Sequence, residues 1–404
     1  MSIEIESLLL IMVVVWTTGM LFRALKLPLL LGELLAGLIF GPALLGWFHE
    51  TEMIKILAEL GIFFLMLHAG LETEPKKLLK SSKLGLAIAL AGVVLPFTLG
   101  YFVAYFFGAT TVQALFIGMG MSITAISVTV KLFKDLNFNN ASIKNLVMVA
   151  AVADDIIAFV MVSIILTIAT AGSVSAHEII VLLLKLGAFF GAIFLLGHHV
   201  LVHFFERFFN STGGKAFTLT MIFGLLFGLI AELLGIHFVI GAYMAGLFVK
   251  EELISKSIYN KIEDRLFGLS YSFLGPIFFV SLGFHVDFHA FADPHTFAFL
   301  AAILVAAVVG KVVGAGLVAK FFGKSTRDSA IIGFAMNGRG AVELILAAIG
   351  LEYGIITPEI FSILVFMAFF TTFLTPLALK LIIKKKENPS EEKALPAKTL
   401  PAKA

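Results

Sequence analysis

The chain has 404 residues, of which 60% are hydrophobic and only 14% charged, and its formal charge is +2. Soluble domains carry about 25% charged residues, so most of this chain belongs in lipid, and so small a net charge gives no basis for a nucleic-acid partner. There is no cysteine, which excludes disulfides, thiolate metal sites and cysteine nucleophiles.

The N-terminal run MSIEIESLLLIMVVVWTTGM opens acidic and has neither a basic leader region nor a small-residue cleavage site. It is expected as a first membrane span and not as a removable signal. A span needs about 20 mostly apolar residues. Apolar runs between charged or Gly/Pro/Asn-rich breaks predict thirteen spans, near 5–22, 27–48, 53–71, 84–108, 113–134, 143–170, 178–204, 216–234, 236–249, 266–286, 296–320, 329–353 and 358–383. The alternating pattern of a membrane barrel is absent, so the expected fold class is an all-α polytopic membrane protein. The tail, 385–404, is polar and Pro/Ala-rich, and is expected to be cytoplasmic and disordered.

Lysine and arginine set the expected orientation. Of the 29 basic residues, all but Lys55, Lys185, Lys311 and Arg339 fall on alternate loops or on the tail. Under the positive-inside rule this places the N-terminus outside and the C-terminus in the cytoplasm of a cell that carries the protein in its inner or plasma membrane.

An internal repeat is also legible. Gly32-ELLAGLIFG resembles Gly241-AYMAGLFVK, Leu60-GIFFLMLHAGLE resembles Leu274-GPIFFVSLGFHVD, and Ile117-GMGMSITAISV resembles Ile332-GFAMNGRGAVE. Each pair is separated by about 210 residues and seven spans. An odd separation predicts two inverted six-helix copies, about 5–170 and 216–384, joined by a linker helix at about 178–204, within one transmembrane domain of residues 1–384. Inverted repeats mark secondary transporters whose sites lie where discontinuous helices meet. The candidates for such breaks are SITAIS (Ser122 to Ser127) and its repeat mate Asn337-Gly338-Arg339-Gly340.

A charge at the bilayer centre costs about 2.5–3.5 kcal/mol on insertion scales, so charges inside spans are functional candidates. Asp154 and Asp155 stand in the middle of VMVAAVADDIIAFVMVSIIL. Adjacent helical residues point about 100° apart, so one can hold a structural partner while the other faces a cavity. Neighbouring carboxylates in a desolvated setting favour binding a proton, and such a group can trade that proton for a hard cation. The plain alternative is a structural pair capped by basic residues. Lys311 lies in AAILVAAVVGKVVGAGLVAK, where Gly310, Gly314 and Gly316 permit close helix approach. An aspartate of the pair is its obvious counter-ion. Snorkelling to the cytoplasmic face is the rival reading, opposed by the apolar stretch before Lys320. Arg339 and Glu343 form a possible i,i+4 pair that either steadies opposed half-helix ends or meets the ion. Glu33, Glu59, Lys185 and Glu232 are expected to serve packing, a dimer interface or an entry funnel. His68 and His285 occupy similar repeat positions, where they either sense pH or sit idle at the interface.

Taken together, VADD, PIFFVSLGFHVD, the span-placed Lys311 and GRGAVELILAAIGLEYGII resemble the cation:proton antiporter-2 family, with its NapA-type sodium/proton and KefC-type potassium/proton members. The resemblance covers about residues 5–384. It implies a NapA-like fold of thirteen helices, with a dimerisation domain and a mobile six-helix core holding two crossed broken helices. It further implies a homodimer exchanging Na+ or Li+ for protons. Asp155, with Asp154 beside it, would meet the Na+, and Asp154 would pair with Lys311 until the ion binds. Thr124 would add oxygen, within a broken-helix region that includes Ser127, Asn337, Arg339 and Glu343. Members with this Asp-Asp and lysine set resemble the electrogenic type, whereas electroneutral members tend to have Asn-Asp. KefC-type members usually carry a cytosolic nucleotide-binding domain. This chain ends about twenty residues past its last span, so no nucleotide or other cofactor is expected, and K+ stays open as the cargo.

Sodium-coupled symport of an organic acid is the rival transport class and would need a larger polar pocket. Nothing points to an enzyme: the GxGD motif of intramembrane aspartyl proteases is absent, and ADDIIAF lacks the third acid of a magnesium-diphosphate site.

Overall fold

The computed structural model describes residues 2–25, 27–73, 83–136, 138–171, 180–181, 184–185, 187–189, 191, 213–249 and 255–384. The expected linker span near 178–204 falls largely outside the described residues, and the tail 385–404 does so entirely. Among the described residues every regular element is helical and there is no strand.

The first group of helices is α1 (Ser2–Ala24), α2 (Leu29–Phe40), α3 (Glu52–Glu72), α4 (Lys83–Phe106), α5 (Thr111–Gly120), α6 (Ile126–Asp135) and α7 (Ala141–Ala171). The second is α8 (Gly213–Leu233), α9 (Phe238–Phe248), α10 (Lys256–Leu269), α11 (Gly275–Phe284), α12 (Pro294–Phe321), α13 (Thr326–Ala335), α14 (Ala341–Glu352) and α15 (Pro358–Lys384). Among the described residues, eight continuous helical stretches are long and apolar enough to cross a membrane, and α2, α5 and α9 are shorter apolar helices.

Local chemistry sets the ends. The Thr51, Asp293 and Ser325 side chains accept from the first-turn N–H groups of α3, α12 and α13. Thr110 and Gln113 form a reciprocal capping box at α5. Helix α2 is shorter than the run 27–48 suggests, because Gly41 and Pro42 end it. The tenth span, expected at 266–286, starts earlier: α10 begins at Lys256 and continues through a π turn, Ser270–Leu274, into α11. Charges alternate with apolar residues along KSIYNKIEDRLFGL, so its polar side can stay in water while Ile262 and Leu266 are buried.

Two sets of helices pack separately. In one, α2 and α3 pack on α11, α3 packs on α9, α9 on α8, and α1 covers α2. In the other, α4 packs on α5, α7 and α12, while α12 and α15 flank α13. A close backbone approach in this second set, between α4 and α12, carries the lysine. A Cβ at Gly310 would lie 2.7 Å from Pro96 Cα of α4, and one at Gly314 would lie 2.6 Å from the Ala91 carbonyl oxygen. Only glycine lets the two backbones come this close, and Lys311 is thereby pressed into the interior. Between the two sets lie α14, which touches α3, and the cavities described next.

Candidate functional site

Helix α5 stops at Gly120 and α6 starts at Ile126; helix α13 stops at Ala335 and α14 starts at Ala341. The two connecting stretches meet backbone to backbone, with the Ala125 N–H donating to the Gly338 carbonyl at 2.9 Å. Each break leaves carbonyls at the end of its first half-helix, and the low-dielectric interior demands partners for them.

At the first break those partners are cationic. Arg339 Nη1 donates to the carbonyls of Gly120 at 3.0 Å and Ile123 at 2.5 Å, and Nη2 donates to that of Met121. Lys311 Nζ donates to the Ser122 carbonyl. Positive charge at a helix C-terminus also complements its dipole. At the second break the partners are neutral. The Thr129 hydroxyl lies 2.7 Å from the Ala335 carbonyl oxygen, and the Thr124 hydroxyl lies 3.0 Å from that of Met336. Asn337 Nδ2 reaches Thr375 Oγ1 at 3.3 Å, and the Thr372 hydroxyl lies within reach of both the Arg339 N–H and its carbonyl.

Helix α7 brings the aspartates to this crossing. Lys311 Nζ lies 2.5 Å from Asp154 Oδ2, and Thr124 Oγ1 lies 2.6 Å from the same oxygen. Thr124 has one proton to give, and the carboxylate is the stronger acceptor. Both Asp154 and Lys311 are wholly buried. Asp155, one residue on, points elsewhere: it lines a cavity of about 40 Å³ together with Thr73, Thr124, Tyr271, Gly340 and Glu343. Its Oδ1 has no hydrogen-bond partner among the described residues. A water takes up about 30 Å³, so the space suits a single small occupant. Around the crossing, Asp154, Asp155 and Glu343 face only Lys311 and Arg339 as buried cations among the described residues. With every group ionised, one positive charge is missing.

Glu343 lies 3.5 Å from Arg339 as an i,i+4 ion pair, and it shares the cavity with Asp155. Arg339 therefore spends its guanidinium on half-helix carbonyls, the first of the two roles open to it. Ser127 stands in the first turn of α6, and its side chain lies outside the described residues. Of the other in-span charges, Glu33 and Glu72 line a larger cavity, of about 590 Å³, while Glu59, Lys185 and Glu232 are exposed and outside the site. His68 is buried against the Tyr271 ring, 3.8 Å from Glu72, and His285 pairs with Glu50 at 3.4 Å, away from the breaks.

Sequence reasoning did not single out Thr73, whose hydroxyl meets the Tyr243 hydroxyl at 3.0 Å beside the cavity. Tyr243 was the available signal, a polar tip inside the otherwise apolar FVIGAYMAGLF. The polar side chains of the residues lining the cavity are carboxylates and hydroxyls. Oxygen of this kind suits a hard cation. Among the described residues no group of three or more histidine or acidic side chains is arranged to hold a resident metal.

The description "Sodium/hydrogen exchanger, transmembrane" belongs to a family model that matches residues 9–385. A Na+/H+ antiporter of Enterococcus hirae is 31% identical over 386 residues, covering 95% of this chain and 99% of the relative. The Na+/H+-K+ antiporter GerN of Bacillus cereus is 31% identical over 364 residues, covering 89% and 91%. Among solved structures, the sodium proton antiporter MjNhaP1 of Methanocaldococcus jannaschii superposes with a TM-score of 0.75 at 17% identity, over 95% of this chain and 98% of the other.

Proposed function

The chain belongs to the sodium/hydrogen exchanger family, and from that premise we propose that it exchanges Na+ for protons at Asp155, with Asp154 and Lys311 forming a salt bridge that opens and closes in the cycle. One observation carries the reading. Asp155 faces a cavity of single-ion size with an unpartnered oxygen, while its neighbour Asp154 is already neutralised by Lys311. A carboxylate in that position needs either a proton or a cation, and it cannot hold both. Competition at one site is what couples the two flows.

The cation takes oxygen from Asp155 and from the Thr124 hydroxyl. Its arrival draws on the charge that Asp154 supplies to Lys311, and the weakened pair releases a proton. An exchange of two protons for one ion through Asp155 and Lys311 is electrogenic. Movement of the helix set that carries the crossing, past the set built on α2, α3, α9 and α11, then exposes the site to the other side. The proposed topology is thirteen spans in two inverted six-helix copies over residues 1–384, assembled as a homodimer in the plasma membrane with the N-terminus outside. Support comes from the succession long, short, long, long, broken, long, which runs from α1 to α7 and recurs from α8 to α15. The end of the molecule bearing Arg23, Glu72 and Asp135 is then cytoplasmic. K+ is the second reading for the cargo, favoured by the name of the Bacillus cereus relative.

The test is exchange by the purified protein in liposomes containing a pH-sensitive dye. Addition of Na+ or Li+ is expected to move protons, faster when a membrane potential favours net charge movement. A response to K+ alone would replace the first reading with the second, and no response to any of the three would sink both.

A further inference from the structure

The cavity of about 590 Å³ lies between α1, α2, α3, α6 and α10, and its charged lining is Arg23, Glu33, Glu72 and Asp135. Arg23, Glu72 and Asp135 stand in the last turns of their helices, where a charge can reach water. Glu33 does not. It sits inside the apolar run LLLGELLAGLIF of α2, 7% exposed, between the wholly buried Leu31 and Leu34. Its carboxylate lines the cavity, yet among the described residues it has neither a hydrogen-bond donor nor a cation in contact, Arg23 included.

A buried carboxylate without a protein partner must find one elsewhere. That partner is a proton, water or a cation admitted by the cavity, which at about 30 Å³ per water has room for on the order of twenty waters. The cavity shares the walls Glu72 and Tyr271 with the small one that Asp155 lines. Glu33 therefore stands on the route from the cytoplasm to the exchange site, one turn in from the start of α2.

We propose that Glu33 is a staging site for the transported cation: it holds a partly hydrated monovalent ion in the cytoplasmic vestibule, before that ion passes Glu72 to Asp155. The inference rests on the exchange reading and adds a residue to it. Although Glu72 and Asp135 share the lining, no three acidic or histidine side chains among the described residues converge as a divalent ion requires, and Arg23 in the same lining opposes the gathering of multivalent cations. A fixed negative charge in a low-dielectric cleft raises the local cation concentration. The effect is one-sided, because the vestibule lies toward the end of the molecule where Arg23, Glu72 and Asp135 stand.

The experiment measures Na+ dependence from each face, using everted and right-side-out vesicles. Glu33→Gln is expected to raise the KM for Na+ at the cytoplasmic face about three- to tenfold, with the KM at the opposite face and the maximal rate changed less than about twofold. Glu33→Asp keeps the carboxylate and should hold the cytoplasmic KM near that of the wild type. An unaltered cytoplasmic KM in Glu33→Gln, or an equal rise at both faces, would overturn the proposal. Should that variant fail to accumulate, Glu33→Met fills the same volume without a polar group and the same two-sided comparison decides. Wild-type vesicles that move no protons from either face would instead sink the exchange reading, a separate result.

Discussion

The two helix breaks perform one task with different chemistry. At the first, the carbonyls of Gly120, Met121, Ser122 and Ile123 are held by Arg339 and Lys311. At the second, that of Ala335 is met by the Thr129 hydroxyl, and that of Met336 lies beside the Thr124 hydroxyl, whose one proton goes to Asp154. The cations at the first break cannot be replaced by water in a buried site without stranding both the carbonyls and the acids they pair with. The hydroxyls at the second are neutral, and losing one strands a single acceptor. Both breaks touch Asp154, the first through the charged Lys311 and the second through the neutral Thr124 hydroxyl, so charge is concentrated on the first break and its integrity depends more strongly on the state of the exchange site.

The largest expected effect is at Arg339. Arg339→Ala should cost about 3–5 kcal/mol, as for a buried pair stripped of one partner, read as thermal unfolding of the detergent-solubilised protein. Arg339→Lys should not restore stability, since a single ammonium cannot span the carbonyls of Gly120, Met121 and Ile123 as the fork does. Full rescue by lysine would show that charge alone matters and would erase the distinction between the breaks. Next comes Lys311. Lys311→Ala should destabilise by about 3 kcal/mol because Asp154 is left buried and unpaired. Adding Asp154→Asn should recover part of that loss, and a double variant no more stable than the single would argue against the pair.

Thr129→Val at the second break should cost only about 1 kcal/mol, one hydrogen bond to a neutral acceptor. A loss as large as that of Arg339→Ala would contradict the contrast drawn here. The smallest effect lies away from both breaks. His285 and Glu50 are each about 40% exposed, and their hydrogen bond holds Glu50 below its ordinary 4.5 and lifts His285 above 6.5, with Lys55 aiding the first shift and opposing the second. The raised histidine stabilises fully below pH 6.5, and that contribution fades as pH rises through its folded value. The lowered glutamate stabilises fully above pH 4.5, and that contribution fades as pH falls through its own folded value. Wild type should therefore exceed His285→Gln in stability by the most between about pH 4.5 and 6.5, by under about 1 kcal/mol given solvent screening. A gap that widens steadily above pH 7 would refute this assignment.

Much of the candidate site was legible because lipid makes charge conspicuous. Asp154, Asp155, Lys311 and Arg339 stand out as charges inside apolar runs, and the glycines and hydroxyls around Ser122 and Asn337 mark where a helix can come apart. Composition and periodicity were enough for an all-helical membrane fold. What stayed hidden depends on distance in space. Residue types alone left open which end of Arg339's reach was used, because carbonyl partners leave no trace in a side-chain pattern. The same holds for the Thr73–Tyr243 contact, whose members are 170 positions apart. Helix α10 was misjudged at its start because its charged face reads as a loop until its apolar face is seen to be buried. Glu33 read as one of several packing or funnel acids, and only the cavity beside it sets it apart from Glu59 and Glu232.

The most direct test of the central claim is Na+-driven proton movement in liposomes carrying Asp155→Asn beside wild type. The amide fits the same cavity but can neither hold a proton in exchange nor offer a charge to the cation. The account predicts no exchange above that of empty liposomes, in a protein as stable as wild type or more so. Undiminished exchange by Asp155→Asn would contradict it.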